Sequence, residues 1–348
     1  MIELMERTAF NEKGFILVAT LWVLAGLGLL ASYIDGLTDL NVQRALQHKQ
    51  NIQLELDLDN TRATLVYLFT TSRMNDRALI LEEEQHLVRN EDDVVVPGRD
   101  TPEILLNDTV YQGLGDVLFS VQDEGGLAPI NSFNFPMFTG MLHSIGLSQT
   151  MRSLVIGRLQ DYTDANQALS LNGAEFYEYS QKKLPPPANA LMKSPLELRM
   201  LLGFEEMFTA QQWAKLRPYL TMREVAGYNF NTMPKAILMA LFGNRQAVVK
   251  AIISLREEER IYSASQIERA TGKQFLLDGE DVRDIPSTAI RISLWQKNSR
   301  RRTLSGVEFT PSEKSSPWRI DYHYSEQHDE ATNEQDSDPI KNAPTALL

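Results

Sequence analysis

Between Phe15 and Ile34 the chain runs for 20 residues without a charged side chain, FILVATLWVLAGLGLLASYI. At 1.5 Å rise per residue a helix of that length is about 30 Å long, one hydrocarbon thickness of a bilayer. No other stretch of the 348 residues is long and apolar enough to cross a membrane. The leader before it, MIELMERTAFNEKG, sets Glu3, Glu6 and Glu12 against Arg7 and Lys13, so it is not the basic start of a secretory signal. The small residue that could mark a cut, Gly14, lies before the apolar run and not after it. Cleavage there would leave the helix on the mature chain, beginning at Phe15. The plain alternative is an uncleaved membrane anchor.

This order of polar leader, Lys13-Gly14-Phe15 and apolar run resembles the prepilin signal of type IV pilins and type II secretion pseudopilins. The resemblance implies cleavage between Gly14 and Phe15 by a prepilin peptidase and N-methylation of Phe15. Most such proteins carry Glu at the fifth position after the cut, where it is thought to pair with the amine of the preceding subunit. A carboxylate at the centre of a membrane helix costs about 2.5–3.5 kcal/mol or more, so it needs a partner. Here that position is Ala19, which suggests a subunit with no predecessor, at the tip of a filament.

Net charge is −12, which argues against a general nucleic-acid binder, since displacing counterions from phosphates needs a basic face. The chain has no Cys, hence no disulfide and no thiolate chemistry. Arg7 and Lys13 precede the helix while Asp35 and Asp39 follow it, which favours the leader in the cytoplasm and the bulk outside.

From Leu37 to Val96 there is neither Gly nor Pro; Leu40, Leu46, Ile52, Leu56, Ala63 and Val66 recur at helical spacing. The anchor is expected to continue as an amphipathic helix to about Arg73. Alternation of β-branched and aromatic residues predicts strands over Gly115–Asp123, Ser287–Trp295, Thr303–Phe309 and Trp318–Tyr324. About 160 residues of helical character separate the first of these from the rest. The economical arrangement is a sheet interrupted by a helical insertion. The polar stretch from Glu326 to Leu348 reads as a disordered tail.

The insertion opens with Asp123-Glu124-Gly125-Gly126-Leu127-Ala128-Pro129-Ile130-Asn131. Then come Leu159-Gln160-Asp161-Tyr162-Thr163-Asp164-Ala165-Asn166, Asn172-Gly173-Ala174-Glu175-Phe176-Tyr177, Pro187-Ala188-Asn189, Ser194-Pro195-Leu196-Glu197-Leu198, Leu202-Gly203-Phe204, Leu216-Arg217-Pro218-Tyr219-Leu220-Thr221 and Asn229-Phe230-Asn231-Thr232-Met233-Pro234. In this order, and with the prepilin-type start, the set resembles the minor pseudopilin K family of type II secretion (general secretion pathway protein K). The resemblance implies an α+β fold: a pilin-like long N-terminal transmembrane helix packed on a small antiparallel sheet, interrupted by a large all-helical insertion domain. The expected division is a prepilin-type leader 1–14, transmembrane helix 15–34, its periplasmic continuation 35–73, a pilin-like α/β domain 74–124 and 285–325, a helical insertion 125–284 and a tail 326–348.

Several pieces make sense unaided. Ser194-Pro195 offers an N-cap and Pro at the first helical position, and Gly203 stops that helix. Short helices separated by Gly suggest helix-hairpin-helix-like units, whose role in so acidic a chain is packing or partner binding. The Asn229/Asn231 pair reads as a helix cap. The run Arg300-Arg301-Arg302 reads as a loop between strands.

Asp161, Asp164, Asn166 and Glu175 form a dense set of oxygen donors, although their spacing is not that of an EF-hand loop. The family resemblance implies a structural Ca²⁺ here; helix caps and a solvated acidic loop are the alternative. Evidence for an enzyme is thin. The five His residues are scattered, and there is no Gly-x-Ser-x-Gly, His-Glu-x-x-His or phosphate-binding Gly-x-x-x-x-Gly-Lys motif. Glu82–Glu84 and Glu257–Glu259 read as solvated helix faces.

The expectation is therefore a non-enzymatic minor pseudopilin of a type II secretion system that caps the pseudopilus and initiates its assembly. It would be a single-pass protein of the bacterial inner membrane with its bulk in the periplasm. Its expected partners are the minor pseudopilins of types I and J, the pseudopilus, the prepilin peptidase and membrane lipid, with no nucleic acid. A type IV pilus minor pilin, a bitopic sensor or adaptor, and a membrane-anchored hydrolase are the competing readings.

Overall fold

A computed structural model describes residues 12–81, 87–89, 95–97, 101–132, 136–223, 227–272, 282–327 and 341, without side-chain detail for 12–15, 87–89 and 95–97. Residues 1–11 of the leader, the acidic run 82–84 and the tail apart from residues 326, 327 and 341 lie outside that description. The chain divides into two compact units, Met1–Leu56 and Asp57–Leu348.

Helix α1, Glu12–Thr71, is 60 residues long. Its apolar stretch makes it the one helix among the described residues long and apolar enough to cross a membrane. In the first unit its apolar side chains lie bare, among them Leu17, Trp22, Leu29, Leu40, Leu46 and Leu56. In the second unit the same helix turns conventional: Thr61, Leu65, Val66, Leu68 and Phe69 are buried, and Phe69 stacks on Phe309 with ring centroids 5.5 Å apart.

After α1 come β1 (Arg73–Met74), β2 (Ala78–Ile80), β3 (Leu87–Arg89), β4 (Val95–Pro97), β5 (Glu103–Leu105), β6 (Asn107–Gln112) and β7 (Val117–Asp123). The insertion then supplies β8 (Ala128–Pro129), α2 (Pro136–Ser144), α3 (Gln149–Thr163), α4 (Phe176–Gln181), α5 (Phe204–Met207), α6 (Ala210–Leu216), β9 (Leu220–Thr221), β10 (Tyr228–Asn229), α7 (Lys235–Leu241), α8 (Gln246–Glu258), α9 (Ala264–Thr271) and β11 (Val282–Arg283). The chain returns as β12 (Ala289–Gln296), β13 (Arg301–Phe309) and β14 (Trp318–Gln327).

The main sheet has five antiparallel strands in the order β14-β13-β12-β7-β6. The insertion thus leaves from the end of β7 and re-enters at its direct neighbour β12, so both ends of the inserted domain meet at one end of two inner strands. Within it, a single apolar cluster gathers Phe138, Leu159, Leu198, Leu216, Ile237 and Ile252. The domain is helical but not wholly so: β8 pairs with β9 and β10 with β11, each as two parallel residues that pin distant loops together. Ser194 caps a short 3₁₀ turn, Pro195–Met200, and Gly203 adopts φ 70°, a left-handed conformation that favours glycine.

Strand alternation would leave one face of the sheet in water, yet β7 is buried along its whole length. One face carries Val121, Ile292 and Val307. The other carries Gln122, Arg291, Ser293, Arg302 and Glu326, all buried. Arg302 is therefore not in a loop: it lies in β13, its Nε 2.6 Å from Glu326 Oε1 on β14. A buried guanidinium needs a carboxylate partner, and the cross-strand register supplies one.

Candidate functional site

Helix α3 starts on Ser148, whose hydroxyl accepts the Met151 amide at 3.2 Å, and it ends by presenting Asp161 and Asp164. The chain then doubles back so that Glu175, at the start of α4, faces them. One oxygen from each of Asp161, Asp164 and Glu175 lies within 4.8 Å of the others. Close packing makes this fold-back possible. A Cβ on Gly157 would lie 2.3 Å from the Leu171 carbonyl oxygen, and one on Gly173 would lie 1.9 Å from Asp161 Oδ2. Asp161 is fully buried, with the Ser170 amide donating to its two oxygens at 3.1 and 3.2 Å.

Glu175 is also buried, and neither of its carboxylate oxygens has a hydrogen-bond partner among the described residues. Burial, then the charges of Asp161, Asp164 and Glu178, push its pKa above the ordinary carboxylate range. Asn166 is placed differently. It is exposed, and its Oδ1 accepts the Ala168 amide at 2.6 Å while its own amide donates to Asp164 Oδ1 at 3.2 Å. It shapes the loop. Three carboxylates without a cation repel, and the orphaned oxygens of Glu175 are the kind of donor a hard cation takes. The donor set fits Ca²⁺ in its chemistry.

A second constellation locks the insertion onto the sheet. Asp123 accepts five hydrogen bonds. Gly125 N, Ser287 N and Ser287 Oγ donate to Oδ1 at 2.9, 2.9 and 2.7 Å, and Asn229 Nδ2 and Thr232 Oγ1 donate to Oδ2 at 3.0 and 2.8 Å. Asn229 is thus not a helix cap. It ties the returning insertion to the end of β7, while Asn231 clamps the Ile261 backbone by donating to its carbonyl at 3.0 Å and accepting its amide at 2.9 Å. An Asn-x-Asn pair looks like a cap locally; only its tertiary neighbours reveal the clamp.

Next to it, Glu124 accepts the Tyr322 hydroxyl at 2.5 Å and the Thr221 hydroxyl at 2.8 Å. Burial raises its pKa against those hydrogen bonds and the charges of Arg291 and Arg223. The Tyr322 ring can cross the sheet because residue 306 is Gly: a Cβ there would lie 2.2 Å from the ring. Glu326 joins the two parts again, with Arg217 Nε of the insertion 2.6 Å from Oε2. Arg223 reaches Glu308 at 2.9 Å and also pairs with Asp321. Sequence spacing gave no signal for these links, since the partners lie 97 to 198 residues apart for Glu124 alone.

Gly14 and Phe15 both fall in the first turns of α1, one residue apart across the expected cut. The Asp161/Asp164/Glu175 centre and the junction each hold together parts of the chain that are distant in sequence.

No curated protein sequence matches the chain. Residues 118–225, from β7 through the acidic centre and past β9, match the family described as type II secretion system, protein K. Among solved structures, a chain of the GspK–GspI–GspJ complex from the type 2 secretion system of enterotoxigenic Escherichia coli shares the fold. Its TM-score is 0.51 at 14% identity, with 82% of this chain and 99% of that chain covered. The family match thus lies across the junction that joins sheet and insertion, and the solved structure shares the fold around it.

Proposed function

We propose that this chain is a minor pseudopilin of a type II secretion system, and that it caps the pseudopilus and starts its assembly. The observation that carries the reading is α1. Apolar side chains from Ile16 to Leu56 have no cover within their own unit, and burial of such surface is the main driving force for association in water and for insertion in lipid. The first part suits the inner membrane, where Gly26 and Gly28 have nothing within 4 Å of a Cβ and would let a neighbouring helix approach closely. The rest suits sibling helices. Ala19 removes the carboxylate by which a subunit would grip a predecessor, and the large insertion at the ends of the inner strands β7 and β12 is an obstacle to further stacking. The comparison structure is a complex of K with I and J, which supports type I and J minor pseudopilins as partners of this chain. The prepilin peptidase would act between Gly14 and Phe15 and methylate Phe15, leaving the bulk in the periplasm.

Within this function Asp161, Asp164 and Glu175 hold Ca²⁺, with Asn166 shaping the loop beside it. The ion supplies positive charge that cross-links α3 to the start of α4. The chain's own contribution is to bury two of the carboxylates and to fix Asp161 through Ser170.

The test is mass spectrometry of the mature N-terminus together with co-purification from a strain expressing the I and J subunits. An N-methylated Phe15 and a stoichiometric K–I–J complex are expected. A retained Met1, or a processed chain that associates with neither subunit, overturns the proposal.

A further inference from the structure

The sheet has two outer strands, β14 and β6. An open outer strand offers a row of unpaired backbone groups to any extended peptide. On β6 the pair at Val110 and Gln112 is not open. The Gln112 amide donates to the Lys341 carbonyl at 3.0 Å, and the Lys341 amide donates to the Val110 carbonyl at 3.0 Å. Lys341 thereby straddles Tyr111 in a parallel bridge. This is the geometry of strand addition, in which backbone hydrogen bonds supply the binding and the sequence of the added segment is secondary. Tyr111 itself pairs inward with Phe119 of β7, so the groups that hold Lys341 are the outward ones.

We propose that the outer edge of β6 is a strand-accepting surface and that the C-terminal segment carrying Lys341 is its resident occupant. The chain can reach it. Lys341 lies 14 residues beyond Gln327 at the end of β14, on the opposite edge. Lys341 sits one spacing outside β6, so five interstrand spacings, roughly 24 Å, separate it from β14, and 14 residues span up to about 46 Å. The sequence around Lys341 fits a short, self-limiting occupant. Pro339 and Pro344 flank it in the sequence, and neither carries a backbone N–H to donate to a ladder. The Lys341 charge further discourages stacking of another strand outside it. At Tyr111 the segment thereby supplies the outer pairing that β6 would otherwise lack.

Hydrogen exchange of the full-length protein in detergent tests this at the Gln112 amide. Lys341→Pro removes the donating amide and is expected to speed exchange at Gln112 at least ten-fold. Lys341→Ala keeps the backbone and should leave the rate unchanged. Truncation after Gln327 should reproduce the Pro effect, and the synthetic peptide SDPIKNAPTALL should restore protection. Unchanged exchange in Lys341→Pro overturns the proposal, as does an equal loss in Lys341→Ala. Protection that appears only at concentrations where the protein is dimeric assigns the edge to a second copy and also overturns it. None of these outcomes depends on the capping role or on Ca²⁺.

Discussion

Replacing Glu175 with Gln removes one charge from the acidic centre while keeping its shape. The three carboxylates place ligand oxygens within 4.8 Å of one another. At an effective dielectric of 20, each ionised pair at that distance repels by about 3.5 kcal/mol, so an ionised Glu175 faces about 7 kcal/mol from two neighbours before screening. Protonation of Glu175 or a bound cation relieves it. In EDTA at pH 7.5, Glu175→Gln should therefore raise stability, by about 1–2 kcal/mol after screening, or roughly 2–8 °C in Tm. With Ca²⁺ at a hundred times its Kd the wild type should gain about 2.7 kcal/mol, roughly 5–11 °C, and the variant less than half of that. The pH dependence has a definite sign. A carboxyl whose folded pKa is raised binds more protons in the folded state, so metal-free stability falls as pH rises from the ordinary carboxylate range through the raised value. Bound Ca²⁺ favours the ionised form and removes that fall. Differential scanning fluorimetry of the detergent-solubilised protein, in EDTA and in Ca²⁺ from pH 4.5 to 8, reads all of this. A metal-free variant less stable than wild type, or an equal Ca²⁺ shift in both proteins, refutes the reasoning.

Two further outcomes concern the junction. Asp123→Ala leaves the buried donors of Gly125, Ser287, Asn229 and Thr232 without their acceptor, and at about 1 kcal/mol or more each the loss should reach about 4 kcal/mol in urea denaturation; a loss near zero would mean the insertion is held elsewhere. Gly306→Ala drives a methyl into the Tyr322 ring and should cost about 1–3 kcal/mol, whereas in a Tyr322→Ala background it should cost little, and additive effects in that cycle would rule out the contact.

Local chemistry fixed the parts that sequence periodicity can express. The uncharged run from Phe15 to Ile34 determined a membrane-length helix, because length and hydropathy alone decide whether a helix can replace water by lipid. The alternation in Gly115–Asp123, Ser287–Trp295, Thr303–Phe309 and Trp318–Tyr324 marked the four long strands, each within about three residues of its observed ends. What the strands do with their polar face was decided only in three dimensions. Arg291 and Glu326 look like solvent-facing positions of alternating strands, and they are buried because Arg217, Thr221 and Arg223 of the insertion are brought over the sheet. Asn229 looks like a cap and is a clamp on Asp123, a partner 106 residues away. Hydrogen bonds and ion pairs act over about 3 Å in space and are blind to separation along the chain. The helix and the strands were therefore written in the order of the residues, whereas the junction, the buried charge pairs and the strand edge taken by Lys341 came into being only when the fold set those residues side by side.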